Sequence, residues 1–71
     1  MVAERLKIKL REFREKRNLT QGQVAMRVGV DRSYITRIEH GQRVPGTAVL
    51  FRLAKTLGCR MEDVIEFESE S

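Results

Sequence analysis

A chain of 71 residues, 41% hydrophobic and 34% charged, is composed as one small globular domain and excludes both a disordered tail and a second core. A single cysteine, Cys59, excludes an internal disulfide. No apolar run approaches the roughly 18 residues that span a bilayer, and no apolar stretch suited to a secretory leader follows the basic start, so a cytosolic location is expected. The net charge of +4 hides a division: residues 1–60 hold all 14 Lys and Arg against five acids, and residues 61–71 hold five acids and no base. A basic body with an acidic end points toward a polyanionic partner, although a solvated surface rich in lysine and arginine has the same composition.

Taken in chain order, Ala3, Leu6, Leu10 and Phe13 recur at helical spacing among charged residues, which predicts an amphipathic helix over residues 3–17, ended by Asn18 in a left-handed conformation. Thr20 and Gln23, three apart before Val24, form a capping-box pattern that starts a second helix, stopped by Gly29. Asp31 is suited to cap a third helix that runs to about His40 and ends at Gly41. After a loop with the only proline, Val49, Leu50, Leu53, Ala54 and Leu57 mark a fourth helix over residues 47–57, closed by Gly58. Met61, Val64 and Ile65 suggest a short fifth. Nothing reads as a strand, because the β-branched residues are scattered among helix formers. The expected class is all-α, one compact domain over residues 1–66 followed by a short acidic tail, 67–71.

The second and third helices are separated only by Gly29-Val30-Asp31, with small Ala25 four residues before the glycine, so two short helices can cross closely there. Val24, Val28, Val30, Ile35 and Ile38 are the positions expected to face a shared core. This is the pattern of a helix-turn-helix unit. The run from Gln21 to His40, with Leu10–Gln21 before it and Leu53-Ala-Lys-Thr-Leu-Gly58 after it, resembles the lambda-repressor-like (XRE) helix-turn-helix family over roughly residues 6–66. The resemblance implies a five-helix bundle whose third helix, from Arg32, lies in the major groove of duplex DNA.

With Ile35 and Ile38 inward, Arg32, Ser33, Thr36 and Arg37 fall on the opposite face and are the expected base readers. Arginine pairs bidentately with guanine O6 and N7, and the short hydroxyl residues suit base edges and the thymine methyl. Without the resemblance, Arg32 and Arg37 read as an ordinary solvated face. Gln21, at the first turn of the second helix, and Arg43, in the loop after the third, are expected on phosphates, and the resemblance implies that Gln21 also supports a side chain of the recognition helix. Tyr34 either lies along the sugar-phosphate chain or packs at the core edge. The resemblance further implies an ion pair between Arg14 and Glu39, tying the first helix to the third. Gly46 and Arg60 stand where similar sequences usually place a Ser-type cap.

One histidine, His40, and one cysteine supply too few ligands for a structural zinc, and no carboxylate pair implies acid–base work. Neither enzymatic activity, nor a cofactor, metal, membrane partner or small-molecule effector is expected. The expected function is sequence-specific regulation of transcription, as a repressor or autoregulator. The expected form is a two-fold homodimer on a pseudo-palindromic operator, with contacts from the fifth helix and its neighbours, Ile65 and Phe67. The competing function is an antitoxin or adaptor of the same fold that binds chiefly a protein, with exposed Met26 and the acidic end as its features.

Overall fold

The computed structural model describes the backbone of residues 3–70 and the side-chain surroundings of residues 7–66. The elements run β1 (Ala3–Ile8), α1 (Leu10–Lys16), α2 (Gln21–Val28), α3 (Arg32–Glu39), α4 (Thr47–Leu57), α5 (Met61–Val64) and β2 (Ile65–Glu70). Five helices stand in the expected order, and a small two-stranded sheet is added to them.

That sheet corrects two expectations. The helix predicted over 3–17 is confined to Leu10–Lys16, with β1 before it, and residues 65–70 are a strand where none was read. The reason lies in a second periodicity laid over the helical one. Arg5-Leu6-Lys7-Ile8-Lys9-Leu10 and Ile65-Glu66-Phe67-Glu68 alternate charged and apolar residues, the pattern of a half-buried strand. The strands are antiparallel, in a register that sets Ile8 opposite Ile65, Leu6 opposite Phe67, Lys7 opposite Glu66 and Arg5 opposite Glu68. Among the described side chains this register sets apolar Ile8 opposite Ile65 and Lys7 opposite Glu66; such cross-strand pairs contribute roughly 0.2–1 kcal/mol each. A lone two-stranded ribbon is marginal in water. This one is anchored, because Ile8 and Val64 are buried in the core and the Lys9 N–H donates to the Val64 carbonyl at 2.7 Å. The dimer contact expected of Phe67 concerns a side chain outside the described residues.

The helix ends follow local chemistry. Asn18 takes a left-handed φ of 56° after α1. Thr20 and Gln23 form the reciprocal box: Gln23 N–H donates to Thr20 Oγ1 at 3.1 Å, and Thr20 N–H donates to Gln23 Oε1 at 2.8 Å. Asp31 occupies the N-cap position of α3, but its side chain makes no capping bond; its carbonyl accepts from Tyr34 N–H instead. Gly46 starts α4 without a side-chain cap. At α5 the Arg60 N–H donates to Asp63 Oδ2 at 3.0 Å, which supplies half of a box from the other side.

The core is a single cluster in which Leu10, Val24, Val28, Ile35, Ile38, Leu53, Leu57 and Val64 are almost wholly buried. Val30, Phe13 and Tyr34 are partly buried against it. Each helix contributes at its expected spacing, and α2 sits between α3 and α4 as the central contact of the bundle. Among the described residues no helix is long and apolar enough to cross a membrane.

The end of α4 is held from across the molecule. Arg17 Nε donates to the Leu57 carbonyl at 2.9 Å and its Nη2 to the Gly58 carbonyl at 3.4 Å, placing a cation at the negative end of the helix dipole. Gly58 has φ +69°, and a Cβ there would run into the Arg17 guanidinium. We expect Gly58→Ala to lower stability by about 1–2 kcal/mol in urea denaturation, with a smaller loss when Arg17 is also alanine. Nearby, burial pushes the Cys59 thiol up, the Asp63 carboxylate adds to this and Arg17 opposes it. Less thiolate is therefore present at any given pH. Iodoacetamide labelling followed by mass spectrometry should show Cys59 reacting more slowly than free cysteine at neutral pH, with its rate midpoint moved to higher pH.

Candidate nucleic-acid interface

The turn between α2 and α3 sets the geometry. Gly29 adopts φ +84°, open to glycine and costly for other residues, and the N–H groups of Gly29 and Val30 both donate to the Ala25 carbonyl, at 2.8 and 3.0 Å. Ala25 is itself buried, so its small side chain fits beneath the crossing. From this turn α3 presses Ile35 and Ile38 into the core. The opposite face then carries Arg32, Ser33 and Arg37 exposed, with Thr36 half-buried beside them. These four side chains line one shallow depression together with Gln42. Gln42 is missing from the sequence reasoning; its N–H donates to the Arg37 carbonyl at 2.8 Å, which folds the chain back over the end of the helix. A glutamine directly after the helix-stopping Gly41 was the available clue.

Beneath this face lies a polar network that joins three helices. Arg14 Nε donates to Glu39 Oε2 at 2.7 Å and its Nη2 to Oε1 at 3.2 Å, a forked pair. Its remaining terminal nitrogen, Nη1, donates to the Leu19 carbonyl at 2.9 Å. The pair is well shielded, with side-chain exposures of 13% for Arg14 and 2% for Glu39. Gln21 Nε2 donates to the same Glu39 Oε1 at 3.1 Å, and Thr36 Oγ1 lies 2.9 Å from Gln21 Oε1. Glu39 is the only acid in α3, and its charge is consumed inside, so the exposed part of that helix carries positive charge alone.

The expected phosphate residues divide. The Gln21 amide is turned onto Glu39 and Thr36, which leaves the backbone N–H groups of Gln21 and Gly22, outside the capping box, at the start of α2. Gln21 and Gly22 line a second depression together with Arg14, Asn18 and Arg32. No acid stands at the cap or in the first turn of α2, so its positive dipole end is left uncompensated, whereas Asp31 sits at the N-cap of α3. Arg43 does not line either depression; its guanidinium stacks 5.4 Å from the centre of the Tyr34 ring. Tyr34 in turn packs on the core edge, and the two residues form one basic shoulder beside α3. Among the described residues no group of His, Cys, Asp and Glu is placed to hold a metal ion.

Removing Glu39 would leave the Arg14 guanidinium shielded and short of its partner. Breaking one side of a buried pair costs about 3 kcal/mol or more. In a domain of this size, Glu39→Ala should lower the melting temperature by about 12 °C or more, read by circular dichroism.

Comparison with known proteins bears on the same residues. The HTH_3 family model, described as helix-turn-helix, matches residues 10–64. A protein of Methanocaldococcus jannaschii named as an HTH-type transcriptional regulator is 37% identical over 65 residues, covering 92% of this chain and 98% of its own length. One from Archaeoglobus fulgidus, similarly named, is 34% identical over 65 residues and covers 92% of both chains. Among solved structures, the restriction-modification controller protein C.AhdI of Aeromonas hydrophila superposes with a TM-score of 0.75 at 34% identity, over 79% of this chain and 85% of that one. The clp gene regulator ClgR of Corynebacterium glutamicum gives a TM-score of 0.76 at 27% identity, over 79% of this chain and 60% of its own. With its helix-turn-helix geometry and a family match spanning most of its length, the chain belongs to the HTH_3 family of XRE-type, lambda-repressor-like DNA-binding transcriptional regulators.

Proposed function

We propose that this protein acts in the cytoplasm as a sequence-specific repressor or autoregulator that reads the major groove through α3. The observation that carries the reading is the depression formed by Arg32, Ser33, Thr36 and Arg37 on the face opposite buried Ile35 and Ile38. In this reading Arg32 and Arg37 take guanine edges, and Ser33 and Thr36 read adjacent positions. The Gln21 and Gly22 N–H groups, with the Arg43–Tyr34 shoulder, hold phosphates and set the register without reading sequence. One α3 covers half of an ordinary operator. Two copies related by a two-fold axis, on half-sites about 34–36 Å apart, complete it.

A second reading, an adaptor or antitoxin that binds chiefly a protein, draws support from Met26 and Phe51, which are 80% and 56% exposed. Salt and mutation separate the two. Duplexes enriched by the chain from a random pool should lose affinity steeply between 50 and 200 mM salt, with a log–log slope of about −0.9 per phosphate neutralised. Arg37→Ala should weaken binding to the enriched duplex by about 5- to 150-fold and relax the preference at one position per half-site. Affinity indifferent to both salt and this substitution would favour the protein-partner reading.

A further inference from the structure

A threonine hydroxyl has one proton and two lone pairs, and in a major groove it usually serves as either donor or acceptor. Thr36 is not free in this way. The two protein atoms within hydrogen-bonding distance of Oγ1 are both oxygens: Gln21 Oε1 at 2.9 Å and the Arg32 carbonyl at 3.2 Å. The carbonyl only accepts. The identity of the Gln21 atom is dictated from below, because the other end of that amide faces Glu39 Oε1 at 3.1 Å. A carboxylate held by the Arg14 fork takes donors, so Gln21 turns its NH2 to Glu39 and its oxygen to Thr36. Donation to an anion polarises the amide and makes that oxygen the better acceptor. The one Thr36 proton is therefore drawn toward the protein, and the lone pairs and methyl group remain on the outer side.

Resting on the DNA-reading role proposed above, we infer that Thr36 reads base edges as an acceptor only. It takes a hydrogen bond from an exocyclic amine, adenine N6 or cytosine N4, and offers no proton to guanine O6 or N7 or to thymine O4. Arg14, Glu39 and Gln21 then act as positioning residues: they set the polarity of a contact that none of them touches.

The test uses the full chain. Duplexes are enriched from a random pool, and binding is measured by fluorescence anisotropy. Each half-site adenine is then replaced in turn by unsubstituted purine and each cytosine by 2-pyrimidinone, which removes one exocyclic amine at a time. One replacement per half-site should weaken binding by about three- to tenfold, the effect of one lost hydrogen bond. Thr36→Val, equal in shape but without the hydroxyl, should be insensitive to that same replacement, and Thr36→Ser should keep the sensitivity. Two results overturn the acceptor assignment while leaving the DNA-reading role standing. One is that every amine deletion weakens wild type and Thr36→Val alike. The other is that Thr36→Val loosens a preference for guanine or thymine. If the chain enriches no duplex at all, the DNA-reading role fails and this inference fails with it.

Discussion

Three of the five helices meet at one shielded carboxylate. Glu39 stands at the end of α3, receives a guanidinium fork from α1 and an amide from the first residue of α2, and leaves almost none of its side chain to water. Two opposite charges so placed are costly to desolvate, and hydrophobic residues of similar volume often hold a fold together as well. What an apolar cluster lacks is direction. A forked pair specifies distance and angle, so it holds α3 in one rotation about its axis, and the side chains on its outer face inherit that rotation. The aliphatic contacts of Ile35 and Ile38 provide adhesion, and the pair provides orientation.

This division of labour explains why so small a core suffices. A domain of this length buries a limited fraction of its surface, and its stability margin is narrow. Several helix ends nevertheless find a specific partner: the Thr20–Gln23 box, the left-handed residues after α1, α2 and α4, and Arg17 reaching from α1 to the last carbonyls of α4. The basic face is thus carried on a frame whose own polar groups are satisfied internally; no buried side-chain nitrogen or oxygen among the described residues lacks a partner. The frame can lose its nucleic-acid partner without exposing an unmet polar demand.

Much of the fold was legible in the residues, because helical periodicity and stop residues act locally. Val24, Val28, Ile35, Ile38, Leu50, Leu53 and Leu57 face inward as their spacing requires. The strands were misread for a physical reason. Leu6 and Leu10 satisfy a helical period and a strand period equally well, and the choice is made by residues some sixty positions away that supply a matching alternation of opposite charge. Local reading cannot weigh a partner so distant. The outward face of α3 was legible once Ile35 and Ile38 were assigned inward. A Gln21 contact to a side chain of α3 was legible from the family resemblance; that the side chain is Thr36 and that Glu39 joins them was not, since it depends on the angle at which α2 and α3 cross. Gln42 escaped because its position depends on how the chain doubles back after α3. Asp31 shows the opposite case: a residue with strong local capping preference sits in the right place and leaves its side chain unused.

The bond from Lys9 N–H to the Val64 carbonyl bears on how the two ends of the chain are joined. Pairing distant strands normally carries the entropy of closing the loop between them. Here the helical body has already closed that loop when it brings α1 and α5 onto the same core, so the strands begin side by side. The register runs outward from Ile8 opposite Ile65 to Ala3 opposite Glu70, like a zipper whose slider is seated in the core. The surface that α3 presents is lined by residues between Arg32 and Gln42, all of them within the helical body that this slider closes.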